Sequence, residues 1–294
     1  MNFDWNSLKE NLQKDALTEG NKKYEVDDRF YKLSRDKNDN GGALIRFVVD
    51  KNSKPFVKMT KITARHPKET GNKRFVSEWS PLTIGKPDPF NEKFIKLWTE
   101  EGRKEEAKKY SRAFRYITNI VVIKDPANPE NEGKTFLLDM SPTLFQKLKE
   151  AIEPTEAEIA LGAESKAVFD PINGYSFLLK VSKANTGFLS YETSKFKEET
   201  SAIYKNVAEA EKEIKKNTYD LSEFLKPENF LSYEELQQKL AWFDGGDAKE
   251  TAEETAKETV KETPKQEDEL DVETVETDST DSDKELEDLL SDFE

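Results

Sequence analysis

Arg112, Phe114 and Tyr116 place one cation and two aromatic rings at every second position. On a β-strand this spacing turns all three side chains to the same face. Cations beside aromatic faces are the chemistry of single-stranded nucleic-acid binding, where phosphates meet positive charge and bases stack on rings. Tyr110 carries the local pattern one step upstream, and Lys108, Lys109 and Arg115 add charge around it. A second group, Lys180, Lys183, Phe188 and Tyr191, surrounds Gly187 in a segment able to bring rings to a bound chain. Arg46 interrupts an apolar run and is costly there unless it meets an anion or a carboxylate. Further cations come at Lys58, Lys61, Arg65, Lys68, Lys73 and Arg74. The competing reading makes Phe114, Tyr116 and Phe188 core residues and the lysines a solvated face.

Other chemistries find less support. The chain has no cysteine, which removes disulfides, Cys–zinc sites and thiol catalysis together. His66 is the single histidine and lies in the loop-like context Ala64-Arg65-His66-Pro67. Nucleophile-elbow, H-E-x-x-H and phosphate-cradling glycine motifs are absent from the sequence. Asp125, Glu130 and Glu132 offer oxygen ligands suited to magnesium. They sit in a proline-rich turn, however, where acidic residues serve conformation, and the turn reading is preferred. No catalytic residue and no metal ligand set is expected, so the chain reads as a non-enzyme. The longest aliphatic run, Ile120-Val121-Val122-Ile123, is too short to span a bilayer. With no apolar leader around Asp4 and Glu10, a soluble intracellular protein without membrane contact is expected.

The elements that must position these residues can be read from periodicity. Residues 43–49 form a β-branched run after the turn signal Asn38-Asp39-Asn40-Gly41-Gly42, and residues 56–62 alternate apolar with polar. Residues 114–123 and 135–140 flank a polar loop, 125–134, containing two prolines and a glycine. A further strand is predicted over 175–181. Helical spacing appears over 91–111, 143–152 and 202–216, and another helix starts with Ser232 as N-cap and ends near Gly246. Several strands with few βαβ alternations suit a small barrel with helical insertions.

Charge divides the 294 residues further. Residues 247–294 hold 20 acidic residues and 5 lysines, a net of −15, so residues 1–246 are nearly neutral at +1. Phe293 is the single aromatic residue of that tail, which therefore cannot bury enough apolar surface to offset its ordering entropy and is expected to be disordered. At its tip Leu286, Leu289, Leu290 and Phe293 share one helical face, the pattern of a partner-binding segment. At the other end, residues 1–20 carry a capping-box signal at Ser7 and Glu10, and Trp5, Leu8 and Leu12 form a narrow apolar stripe. One such helix is marginal alone and must dock, either on its own body or on a neighbouring molecule. The expected organisation is an arm over 1–20, a body over 21–246 and an acidic tail over 247–294. A detachable polyanion beside basic stripes would compete with nucleic acid for the groove.

The stretch Asn119-Ile120-Val121-Val122-Ile123-Lys124-Asp125-Pro126-Ala127-Asn128-Pro129-Glu130-Asn131-Glu132-Gly133-Lys134 resembles the signature of the T-even-type bacteriophage single-stranded DNA-binding (helix-destabilising) protein family. Gly42-Ala43-Leu44-Ile45-Arg46-Phe47, Gly187-Phe188-Leu189-Ser190-Tyr191 and the acidic tip at 286–290 are similar to other family segments. The resemblance implies an α+β chain with an OB-fold β-barrel core, helical insertions and a loop subdomain. It also implies sequence-nonspecific, cooperative coating of single-stranded DNA in phage replication, recombination and repair, in the cytoplasm of the infected bacterial host. Partners implied are single-stranded DNA, the protein itself along DNA, and replication and recombination proteins recruited by the tail. Arg46, Arg112, Tyr116, Phe188 and Tyr191 match family positions lining the DNA cleft, whereas Tyr110 and Phe114 rest on local pattern. Two departures stand out. The family's structural zinc is held by one His and three Cys in a subdomain corresponding to about 62–95, of which this chain keeps His66 but no cysteine; Trp79 stands near the first, so no cofactor is expected and Trp79, Phe75 and Phe90 are expected to close that subdomain by packing. The basic N-terminal cluster used for cooperativity is also missing, and the rival class is an acidic-tailed scaffold or chaperone that binds proteins through its tail.

Overall fold

Among the described residues eight strands carry the fold: β1 (Gly41–Val48), β2 (Phe56–Arg65), β3 (Phe75–Trp79), β4 (Arg112–Lys124), β5 (Thr135–Met140), β6 (Tyr175–Lys183), β7 (Leu189–Ser190) and β8 (Lys195–Thr200). The computed structural model describes residues 27–67, 71, 73–100, 102–184 and 189–245. The arm with Trp5, Leu8 and Leu12, the tail with Leu286, Leu289, Leu290 and Phe293, and Phe188 lie outside the described residues.

The strands pair antiparallel in the order β3-β2-β4-β1-β6-β7, with β5 on β4 and β8 on β6. Among the described residues this path does not close into a barrel. β4 is its spine. One edge pairs first with β2 (Ile62 opposite Arg112, Phe56 opposite Thr118) and then with β1 (Val48 opposite Asn119). β5 takes the other edge at 116–121. β1 and β2 thus form one line interrupted by a turn. Asp50 builds that turn, its buried carboxylate accepting the amides of Asn52, Lys54 and Leu221.

The aliphatic run in β4 is explained by burial on both faces, which removes the usual alternation. Ile120 and Val122 pack inward with Ile45, Phe47 and Phe177. Ile117 packs on the opposite face with Val57, Met59 and Leu221, the last from a 3₁₀ turn at Leu221–Leu225 that covers this side. Asn119 holds the cover in place, exchanging two hydrogen bonds with the backbone of Tyr219.

Helices fill the connections: α1 (Pro89–Thr99), α2 (Lys104–Ala107), α3 (Pro142–Ile152), α4 (Glu156–Ala160), α5 (Val207–Asn217) and α6 (Tyr233–Phe243). The single helix expected over 91–111 is broken near Gly102, whose φ of 78° lies in the left-handed region, and ends in a 3₁₀ turn at Lys108–Tyr110. Ser232 caps α6 as expected, in a capping box with Glu235.

The polar loop at 125–134 is organised by Asp125, which is fully buried. Its carboxylate accepts the Tyr31 hydroxyl at 2.9 Å, the Asn131 amide and the backbone amides of Ala127 and Asn128, while Glu132 accepts the Asp125 amide. These carboxylates thus serve the turn. Burial pushes the Asp125 carboxyl up, but the bonds from Tyr31, Asn131 and Asn128 outweigh it and hold the group below its ordinary value. A depressed folded value contributes stability above the unfolded value of about 4 and loses it as pH falls through the folded value. The urea midpoint of the wild type is therefore expected to drop more steeply below pH ~4 than that of Asp125→Asn. Parallel curves for the two proteins would remove Asp125 as a source of acid sensitivity.

Candidate nucleic-acid interface

The face predicted from period-two spacing exists. Arg112, Phe114 and Tyr116 stand on β4 opposite Ile62, Thr60 and Lys58 of β2, and all three are half-buried. Lys58 is exposed and sets its ammonium 3.9 Å from the centroid of the Phe114 ring. Tyr116 lies flat on Phe145 of α3, with ring centroids 3.6 Å apart and planes 1° from parallel. Phe56, at the start of β2, meets both rings edge-on at 6.1 and 4.8 Å. Phe56 and Phe145 were missed at the level of sequence. Phe145 neighbours the buried Leu144 and Leu148 of an amphipathic helix, so its pattern reads as core.

At the other end of this face Arg112 donates to the Asn91 side chain in the first turn of α1. That turn is fixed by Asp88, the N-cap, whose carboxylate accepts the amides of Phe90 and Asn91 and the Ser80 hydroxyl. Burial pushes the Asp88 carboxyl up, opposed by those hydrogen bonds and by the charge of Arg112. Tyr191 is half-buried against the main core beside α3, where Lys147 donates to the Glu192 carbonyl at 2.9 Å. The arrangement offers cations at Lys58 and Arg112 with rings at Phe114, Tyr116, Phe145 and Phe56 along one surface, fitted to an anionic chain bearing flat bases.

Three expectations need correction. Arg46 is fully buried, not on a groove. Its neighbours Ile45 and Phe47 point into the core, and Arg46 points to the other face, where the guanidinium donates to the carbonyls of Asp170 and Ser201 and the hydroxyls of Ser176 and Ser201. Gly174 makes room for it, since a Cβ there would meet the Asp170 carbonyl at 2.1 Å and the guanidinium at 2.9 Å. Tyr110 is 6% exposed, packs against Phe243 and donates its hydroxyl to Asp244; it precedes β4 and does not share its alternation. Arg115 falls on the opposite face of β4 and pairs with Asp139 at 2.9 Å.

The expected closure of the His66 subdomain also changes. Phe90 is buried there, but Phe75 is 41% exposed and Trp79 joins the cluster around Val57 and Met59, with Lys61 over its ring. A His–Cys zinc set does not fit, because the sequence has no cysteine and His66 Nε2 is 2.9 Å from the Phe243 carbonyl. Among the described residues no three His, Cys, Asp or Glu side chains gather at one point. Among them, too, no helix is long and apolar enough to cross a membrane.

Comparison with known proteins adds to this geometry. A family model described as gp32 DNA binding protein like matches residues 39–243, which include every residue of the β2–β4 face. The single-stranded DNA-binding protein of Enterobacteria phage T4 is 32% identical over 229 residues, covering 76% of this chain and 73% of the relative. That of Enterobacteria phage T2 is 32% identical over 215 residues, covering 72% of this chain and 68% of the relative. With the match spanning the sheet and the face it carries, the chain belongs to the gp32-like family of phage DNA-binding proteins.

Proposed function

We propose that this protein binds single-stranded DNA without sequence preference and coats it cooperatively during phage DNA replication, recombination and repair, without catalysing a reaction. The observation that carries the reading is the β2–β4 face, where Lys58 and Arg112 flank Phe114 and the stacked pair of Tyr116 and Phe145. Cations track a phosphate backbone of any sequence, and every base has a face to stack, so the arrangement suits binding that ignores sequence. The names of the two phage relatives support the same ligand. The open antiparallel sheet is read as an OB-type core, with residues 1–20 as an arm for association between neighbours along DNA. Residues 247–294 are read as a polyanionic tail that competes for the face and recruits replication and recombination proteins in the infected cell. The protein is proposed to work without zinc or any other cofactor.

Tryptophan and tyrosine fluorescence titrated with poly(dT) tests this reading. Saturable quenching that weakens with salt is expected. Deletion of 247–294 removes a net charge of −15 and should tighten binding most at low salt. Deletion of 1–20 should lower cooperativity while leaving single-site affinity nearly intact. No quenching at low salt would discard single-strand binding in favour of a protein-binding scaffold.

A further inference from the structure

Four segments distant in the chain converge on the last turn of α6. His66 stacks on Phe243, with centroids 4.2 Å apart, and its Nε2 meets the Phe243 carbonyl at 2.9 Å. Arg74 donates to the Trp242 carbonyl at 2.6 Å, and its guanidinium lies over the Trp242 ring. Lys93 and the Tyr110 hydroxyl both reach the Asp244 carboxylate. The last carbonyls of a helix lack intrahelical partners; here His66 meets that of Phe243, and Arg74 joins the Gly245 amide on that of Trp242. Phe243 and Leu236, seven residues apart on one helical face, are both fully buried. Phe243 also touches Phe90 in the first turn of α1, next to Asn91, the residue that orients Arg112.

We infer that α6 is a clamp that closes the His66 subdomain without a metal and, through α1, holds Arg112 in position on the β2–β4 face. The core of this subdomain joins Ile62 and Ala64 of β2, Val76 of β3 and Phe90, Phe94 and Leu97 of α1 to Leu236 and Phe243, so α6 supplies part of the core it closes. A metal ties together points that are remote along the chain. The last turn of α6 does the same with one buried ring, two carbonyls and one carboxylate. Phe243 and His66 are positioning residues in this scheme: they act through Phe90 and Asn91 and do not themselves meet the ligand. The part concerning Arg112 rests on the proposed binding of single strands, whereas the part concerning closure does not.

The test uses the full chain as wild type, Phe243→Ala, Phe243→Leu and Arg112→Ala. Thermal melting should be unchanged by EDTA in the wild type. Phe243→Ala should lower the melting temperature by roughly 10 °C, and Phe243→Leu should restore most of it. In poly(dT) titrations, Phe243→Ala at a temperature where it is folded should flatten the dependence of log affinity on log salt by roughly 0.7, matching Arg112→Ala. A chelator-induced fall in melting temperature, or an unshifted Phe243→Ala, overturns the clamp. A destabilised Phe243→Ala with the wild-type salt slope overturns the coupling to Arg112. If the wild type fails to bind poly(dT) while the melting results hold, the binding proposal falls and the metal-free closure stands.

Discussion

Replacing Arg46 by Ala is expected to destabilise the protein by about 4 kcal/mol and to leave the salt slope of DNA binding unchanged. The guanidinium is fully buried and donates to two carbonyls and two hydroxyls. Burial pushes its pKa down, with the charge of Asp170 opposing that shift; an arginine nonetheless stays protonated at neutral pH. A buried charge is tolerated when hydrogen bonds replace its hydration. Those bonds tie β1 to the turn at 170–174 and to Ser201, segments 124 and 155 residues away. Truncation takes this donor from the carbonyls of Asp170 and Ser201, leaves the Ser176 and Ser201 hydroxyls to each other, and opens a cavity beside Gly174, where the guanidinium now lies. Lysine keeps the charge but lacks the fork that reaches several acceptors, so Arg46→Lys should recover only part of the loss. Urea denaturation measures the first expectation and poly(dT) titration across salt the second. A stable Arg46→Ala whose salt slope flattens would return Arg46 to phosphate contact.

The misreading of Arg46 shows where local pattern stops. A cation in an apolar strand signals an anion or a special environment, and the sequence cannot separate the two when the acceptors lie more than a hundred residues away. By contrast, β1, β2, β4, β5 and β6 were legible, because turns such as 38–42 and 125–134 bound them and side-chain alternation is local, whereas β3, β7 and β8 are short and were not predicted. The face of Arg112, Phe114 and Tyr116 was legible for the same reason. Tyr110 was attached to it by extending the local pattern and Arg115 by proximity; β4 begins only at Arg112, and its pleat turns Arg115 to the other face. Phe145 was hidden because a helix presents Leu144 and Phe145 side by side, and only the tertiary fold shows which of the two meets Tyr116. Closure by α6 was hidden for a similar reason: Phe243 reads as the end of an amphipathic helix, and its contact with His66 spans 177 residues.

Tyr116→Ala is expected to weaken poly(dT) binding by about 1–3 kcal/mol, the range for losing one stacked base. Phe145→Ala should weaken it by less, because Phe145 acts mainly by holding the Tyr116 ring flat at 3.6 Å. The double variant should therefore lose less than the two single losses added, as residues in contact do. Tyr116→Phe keeps the ring and should stay close to the wild type. Both rings also pack against the main core, so part of each effect will appear as lost stability. Salt separates the two contributions. A stacked ring neutralises no phosphate, so Tyr116→Ala should lower the whole line of log affinity against log salt without altering its slope, whereas loss of the Arg112 cation flattens that slope. If Tyr116→Ala melts earlier but binds poly(dT) as tightly as the wild type once folded, the Tyr116–Phe145 stack is a packing contact and the bases stack elsewhere.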